Sequence, residues 1–154
     1  MSDYVDDLAD FIIGASAASG AAAATPRSPL VLVGGTNLFA GKRTDDNDVA
    51  DLAVFLTGYE GLVDESFGPD GDLEIPNLQV TVRSARGEYK SAEQLAWWLH
   101  RAIHSIAERQ VGTTYIHRCR SRSTPNPLGE DSLNRFLFAM DFSVMLPATV
   151  VTIP

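Results

Sequence analysis

The sequence predicts an α+β domain: a mostly antiparallel sheet, one long helix packed across it, and a short helix at the N-terminus. Three stretches carry that expectation. Leu78-Gln-Val-Thr-Val-Arg-Ser84 alternates, with Leu78, Val80 and Val82 on one face and Gln79, Thr81 and Arg83 on the other. Ala92, Leu95, Ala96, Leu99, Ile103 and Ile106 then recur at three- and four-residue steps, an apolar helical stripe about 100° wide. Leu133 to Leu146 alternates once more. Its Phe136, Phe138, Met140, Phe142, Val144 and Leu146 all point one way, while Arg135, Asp141 and Ser143 face solvent or a partner.

From the N-terminus, Val5, Leu8, Phe11 and Ile12 mark the short helix, which Ser2 or Asp3 is placed to cap. Four aspartates and no basic stretch there argue against a secretory signal. Residues 14–29 are rich in Ala and Ser, and read as a further turn or two of helix followed by a linker. Leu30 to Val33 is a short buried strand or packed turn, and Asn37 to Ala40 an edge strand. Lys42 to Asp48 is polar loop, and Val49 to Tyr59 is β-rich. Tyr59 to Glu74 holds six acids, no Lys or Arg, and several Gly and Pro residues, which predicts an exposed loop. Pro76 stands where a missing N–H does no harm to a strand, and Ser91 precedes the apolar period as a helix cap. After the long helix, Thr113 to Arg122 alternates, with Ile116, Arg118, Arg120 and Arg122 on one face and Tyr115, His117, Cys119 and Ser121 on the other. Ser123 to Asp131 reads as a proline-glycine loop, so the last two strands pair as a hairpin. Residues 147–154 form a short apolar arm.

A chain of 154 residues makes one domain, residues 1–154, able to bury its own core. No apolar run approaches the roughly 18 residues of a membrane span. The single cysteine, Cys119, excludes an internal disulfide and reads as a buried small hydrophobe. A net charge of −8 opposes general nucleic-acid binding. Its distribution is uneven: residues 1–82 carry 14 acids against 3 bases, residues 83–154 carry 9 bases against 6 acids. Copies of such a chain could meet acid to base, although a simple solubilising role accounts for the same charges.

Motifs for chemistry fail on spacing. Gly35 to Arg43 has five residues between its glycines where a phosphate loop has four, and Arg43 stands where Ser or Thr would hold Mg²⁺. His100 and His104 lie one helical turn apart, yet Arg101 replaces the metalloprotease glutamate and no third ligand is evident. Asp70-Gly-Asp72 does not continue as a calcium loop. No nucleophile elbow exists. Trp97 is the unusual residue, because the wheel sets it almost opposite the apolar stripe among Glu93, Arg101, His104 and Glu108. An indole there suits a protein contact, or a cover folded over it from the same subunit.

Short motifs in order resemble the tail terminator (minor capsid or tail completion) proteins of long-tailed bacteriophages. Ile75 to Arg83 fits a P-x-x-Q-V-x-V-R strand, and Tyr89 with Ala92 fits the helix start that follows. Asn37 to Gly41 fits an earlier N-x-F-x-G strand and turn. Pro125, Leu128, Gly129, Asp131 and Arg135 fit a P-x-x-L-G-x-D-x-x-x-R turn, and Phe142-Ser-Val144 fits the final strand. The matches span roughly residues 37–146; the Ala/Ser linker and the acidic loop at 59–74 depart from the family pattern.

The resemblance implies a structural virion protein with no catalytic site, cofactor or metal. It implies a homohexameric ring on the head-proximal end of the tail tube, ending tube polymerisation and joining the tail to the head. The partners would be other copies, the major tail tube protein and a head connector or stopper. Genome DNA would pass through without sequence-specific binding, and assembly would occur in the host cytoplasm without a membrane. The residues expected at subunit or partner interfaces are Trp97, Arg101, His104, Arg118, Arg120, Arg122 and Arg135, with Asp64, Glu65, Asp70 and Asp72 on the acidic side. The competing readings are a head-completion or stopper adaptor that binds the portal, and a small metal-dependent hydrolase using His100, His104 and the acidic loop.

Overall fold

The computed structural model describes residues 4–18, 32–41, 50–64 and 73–147. Its elements are α1 (Tyr4–Ala18), β1 (Leu38–Ala40), β2 (Ala53–Asp64), β3 (Leu73–Arg86), α2 (Tyr89–His104), β4 (Ala107–Val111), β5 (Thr114–Ser121), β6 (Asn126–Glu130) and β7 (Arg135–Pro147). The strands form one sheet in the order β1-β2-β3-β7-β5-β4, parallel only between β1 and β2. The α+β class and the helix across a mostly antiparallel sheet are as the periodicity requires.

Burial of one face explains the registers. Leu38, Val54, Val82 and Phe138 fall in one row across four strands, and Leu56, Val80 and Met140 in the next. All seven are buried, against Leu95, Leu99 and Ile103 of α2 and Leu8 and Ile12 of α1. Slipping any of these strands by one residue would turn its apolar set away from both helices, which fixes the pairing.

Strand β7 is the hub. One edge pairs with β3 along most of its length. The other edge is shared, with β6 taking Phe136 to Ala139 and β5 taking Phe142 to Met145. At the fork the Arg122 N–H donates to the Asp141 carbonyl and the Asp141 N–H to Ser123 Oγ, so the ladder continues across the gap.

Several local expectations are corrected. Helix α2 starts at Tyr89, so Ser91 lies inside its first turn and donates to Glu88 Oε2 instead of capping. It ends at His104; Ile106 is buried, as the stripe requires, but lies beyond the helix. Strand β4 follows, unforeseen because four of its five residues are exposed and leave no period to read. The proline-glycine segment contains β6, an exposed strip whose ladder shifts between Pro127 and Gly129. Such irregularity suits a peripheral strand. Much of the acidic segment is also strand, since β2 runs to Asp64 and β3 begins at Leu73.

In β5, Ile116 and Cys119 are both buried, so Ile116 does not share a face with the arginines. Opposite this stretch stands Glu108 of β4, whose backbone is in the left-handed region (φ 45°). The N-terminal helix extends through Ala18, covering the first part of the expected linker. Its proposed caps Ser2 and Asp3, the linker at 19–29, the polar loop from Lys42 to Asp48, Glu65, Asp70 and Asp72 of the acidic segment, and the arm at 148–154 lie outside the described residues.

The face of the sheet away from the helices has its own small centre. Phe55 is stacked on Phe39 at 5.6 Å and lies under the Arg83 guanidinium, 5.4 Å from its ring centroid. Arg83 is 1% exposed, with Nε donating to the Asp51 carbonyl and Nη2 to the Ala50 carbonyl. Alternation puts Arg83 on this side, but only the structure shows that its charge is enclosed and hydrogen-bonded there.

Candidate assembly surfaces

The outer surface of α2 follows from its amphipathic sequence. Its apolar stripe is committed to the core, which leaves Trp97, Arg101 and His104 outward while Trp98 is buried. Trp97 stays 38% exposed and meets His100 edge-on at 5.6 Å. No described residue of α1 or the strands covers it fully, and the Arg101 side chain makes no hydrogen bond or ion pair with another described residue. His104 is exposed, and its Nδ1 accepts the Ser121 N–H at 3.1 Å.

The second surface is the exposed side of β5. Arg118 and Arg120 stand in register with Met145 and Ser143, and both are exposed without a polar partner among the described residues. Arg122, just past the strand, is exposed but donates from Nη1 to Asn77 Oδ1 at 2.9 Å. Next to these arginines, the Tyr115 hydroxyl donates to Glu108 Oε2 at 2.7 Å, holding that carboxyl below its usual value. Glu108 also lies 3.5 Å from His117 Nδ1. Among the described residues, Arg118 and Arg120 on β5 and Arg101 on α2 are thus exposed cations whose side chains have no polar partner, as is Lys90 at the start of α2.

Arg135, expected to face solvent or a partner, is committed within the subunit. Its side chain is 14% exposed, with Nη2 2.7 Å from Asp131 Oδ2 and Nη1 3.4 Å from Asp51 Oδ1. Asp131 also accepts the Leu133 and Arg135 N–H groups, so this network closes the turn into β7. Of the acidic candidates, Asp64 ends β2 in register with Leu73, and Glu65, Asp70 and Asp72 lie outside the described residues. The structure thus brings Trp97, Arg101 and His104 together on one helix, and Arg118 and Arg120 together on one strand.

Sequence reading missed two exposed leucines beside the final turn, Leu128 at 57% and Leu133 at 44%. Leu128 lies in the proline-glycine segment and Leu133 at the start of the last alternating stretch, where no period shows which way they point. Among the described residues there is no group of three or more His, Cys, Asp or Glu side chains able to hold a metal ion, and no helix is long and apolar enough to cross a membrane.

A sequence model of the family described as "Bacteriophage tail terminator protein" matches residues 6–146, from α1 to the end of β7. The chain belongs to the bacteriophage tail terminator family. Its role is that of a structural virion protein, not an enzyme. The fold is similar to a chain of a solved structure titled "Virion of native gene transfer agent (GTA) particle". The TM-score is 0.56 at 11% identity, covering 89% of this tail terminator and 95% of that chain. No curated protein matches the sequence.

Proposed function

We propose that this tail terminator closes into a homohexameric ring on the head-proximal end of the tail tube. There it ends tube polymerisation and presents its other face to a head connector or stopper. The family match across residues 6–146 carries this reading. A ring requires a head-to-tail contact between unlike surfaces that returns on itself. The exposed cations Arg101, Arg118 and Arg120 supply one side, together with Trp97 and His104. The acid-rich first half, including Asp64, Glu65, Asp70 and Asp72, supplies the other. One ring face repeats the contacts of a tube subunit and the opposite face withholds them, so no further layer adds. The excess of acids keeps exiting DNA from adhering, since phosphate repulsion acts over roughly 8 Å.

The test is tube assembly in vitro. Purified tube protein polymerises with and without the terminator, and electron microscopy measures lengths and end densities. The expected result is tubes that stop growing and carry a six-fold density at one end. Tubes of unchanged length, with the protein absent from their ends and bound to the portal complex instead, would replace this reading with the head-completion adaptor.

A further inference from the structure

Two helix faces are left over once the core is built. Helix α2 buries its apolar stripe and keeps Lys90, Gln94, Trp97, Arg101 and His104 exposed, at steps of four and three residues. Such steps hold one line along a helix. Helix α1 buries Tyr4, Val5, Leu8, Ala9 and Ile12 and keeps Asp6, Asp10, Gly14 and Ala17 exposed, again at steps of four and three. The buried sides of both helices belong to one core, so the two exposed lines do not cover each other within the subunit.

The lines are opposite in charge. On α2 the line carries Lys90 and Arg101 and no carboxylate. Acids elsewhere at that end of the helix are engaged: Glu88 Oε2 accepts from the Ser91 hydroxyl, and Glu93 takes the Tyr89 hydroxyl. Neither the Lys90 nor the Arg101 side chain has a polar partner among the described residues. On α1 the line carries Asp6 and Asp10 and no cation. Asp7 is turned aside to Thr113 and Thr114, and Arg109 of β4 lies over the Phe11 ring, 4.9 Å from its centroid.

Their spacing matches in one direction. Laid antiparallel with Asp10 opposite Arg101, the lines also set Gly14 opposite Trp97 and Ala17 opposite Gln94. A parallel arrangement that keeps Gly14 opposite Trp97 sets Asp10 against Glu93, a pair of like charges. The indole has room at Gly14, where an added Cβ would meet nothing within 4 Å. An exposed indole at the middle of a line with charges at its ends has the anatomy of a protein contact: an aromatic centre and a polar rim.

We propose that the outer face of α2 receives the outer face of α1 from a second copy of this chain, antiparallel, with Trp97 over Gly14 and Arg101 against Asp10. The two faces are unlike and every copy carries one of each, so the contact runs head to tail, as a closed ring requires. The assignment rests on the ring reading above and specifies it, naming α1 as the acidic surface that meets Trp97 and Arg101.

The test is cross-linking of the full-length protein with a short bismaleimide, free in solution and on tube ends. Asp10→Cys and Arg101→Cys change exposed residues, while the native Cys119 is buried and out of reach of the reagent. Circular dichroism establishes that each variant is folded. A mixture of the two single variants should give linked dimers, neither alone should, and the double variant should give a ladder reaching six. In a second arm, Asp10→Arg or Arg101→Asp alone should lower occupancy of tube ends at least tenfold, because like charges then face each other. Both changes in one chain should restore it, since the pair is rebuilt with its signs exchanged. Six-fold density at wild-type tube ends without linkage between the two cysteines, or reversals that do not rescue each other, would overturn the helix pairing and leave the ring standing. Linked dimers with neither a ladder nor end density would uphold the pairing and remove the ring.

Discussion

Asp7 Oδ2 on α1 accepts the Thr114 Oγ1 hydroxyl at 2.6 Å, across 107 residues of sequence. The same oxygen accepts the Thr113 hydroxyl at 3.0 Å and the Thr113 N–H at 3.2 Å. One carboxylate therefore ties the N-terminal helix to the β4–β5 turn. Gly112 makes the approach possible, since a Cβ there would collide with Asp7, and its backbone is left-handed (φ +58°).

Asp7→Ala should lower unfolding free energy by about 1–2 kcal/mol at neutral pH, the upper part of that range being reduced by solvent at the turn. Burial opposes ionisation of Asp7, but the bonds from Thr114 and Thr113 outweigh it and hold the carboxyl below its usual value. This contribution is thus present above the ordinary aspartate pKa of about 3.9, and is lost as pH falls through the folded-state value. Urea denaturation of both proteins at neutral and acidic pH checks the size and the sign, and the difference between them should shrink in acid.

Gly61 occupies the irregularity where the β2–β3 register shifts between Tyr59 and Leu62. A Cβ built there would collide with the Ile75 carbonyl oxygen and Pro76 Cα, both backbone atoms. Gly61→Ala should therefore cost about 2 kcal/mol or more, because strand backbone must move. Equilibrium denaturation measures this, with the open position Gly35 unsuitable as a control because its own φ is +73°. Gly14→Ala, on an open helical site, should cost nothing or stabilise slightly.

The Cys119 thiol is fully buried, and burial pushes it up to about 12. Native protein at pH 8 should react with a thiol reagent only as fast as the chain opens, orders of magnitude more slowly than in denaturant. Stopped-flow labelling with and without guanidinium gives the comparison. Prompt labelling of the native protein would mean that the β5–β7 pairing opens readily.

Reversing Arg118 and Arg120 to Glu should leave subunit stability within about 0.5 kcal/mol, since neither has a polar partner among the described residues. The same double change should abolish ring formation if these arginines meet the acidic half of a neighbouring copy. Arg135→Ala provides the contrast: it breaks the Asp131 and Asp51 contacts and should destabilise the subunit by about 2 kcal/mol. Denaturation paired with light scattering on assembled tubes separates the two effects. An intact ring with both charges reversed would remove this strand from the contact.

What the sequence disclosed follows the physics of burial. Val80, Met140 and Leu99 had to be buried, so their elements carry a period that reads directly from the chain. Strands β4 and β6 have little to bury, and Arg109, Gln110 and Leu128 gave no alternation to find. Alternation set Arg83 on the face opposite Val82 and Arg135 toward solvent or a partner, because it gives the side of the sheet and not what covers it. The interface candidates divided on the same ground: Trp97 was recognisable as an indole opposite an apolar stripe, whereas the His104–Ser121 bond depends on where a ladder ends. Family membership was legible because short motifs kept their order even where each one was weak.

The hub of the sheet, β7, is also the last strand among the described residues. A polypeptide still on the ribosome, or cut short, has β3 and β5 but nothing to join them. Such a chain exposes the inner edges of both strands and keeps α2 without its floor. Closing the β3–β7 pair spans some sixty residues, a long-range step of the kind that slows folding. A chain that lacks β7 therefore has no strand to join β3 to β5 and β6, and this sheet closes only once β7 is present.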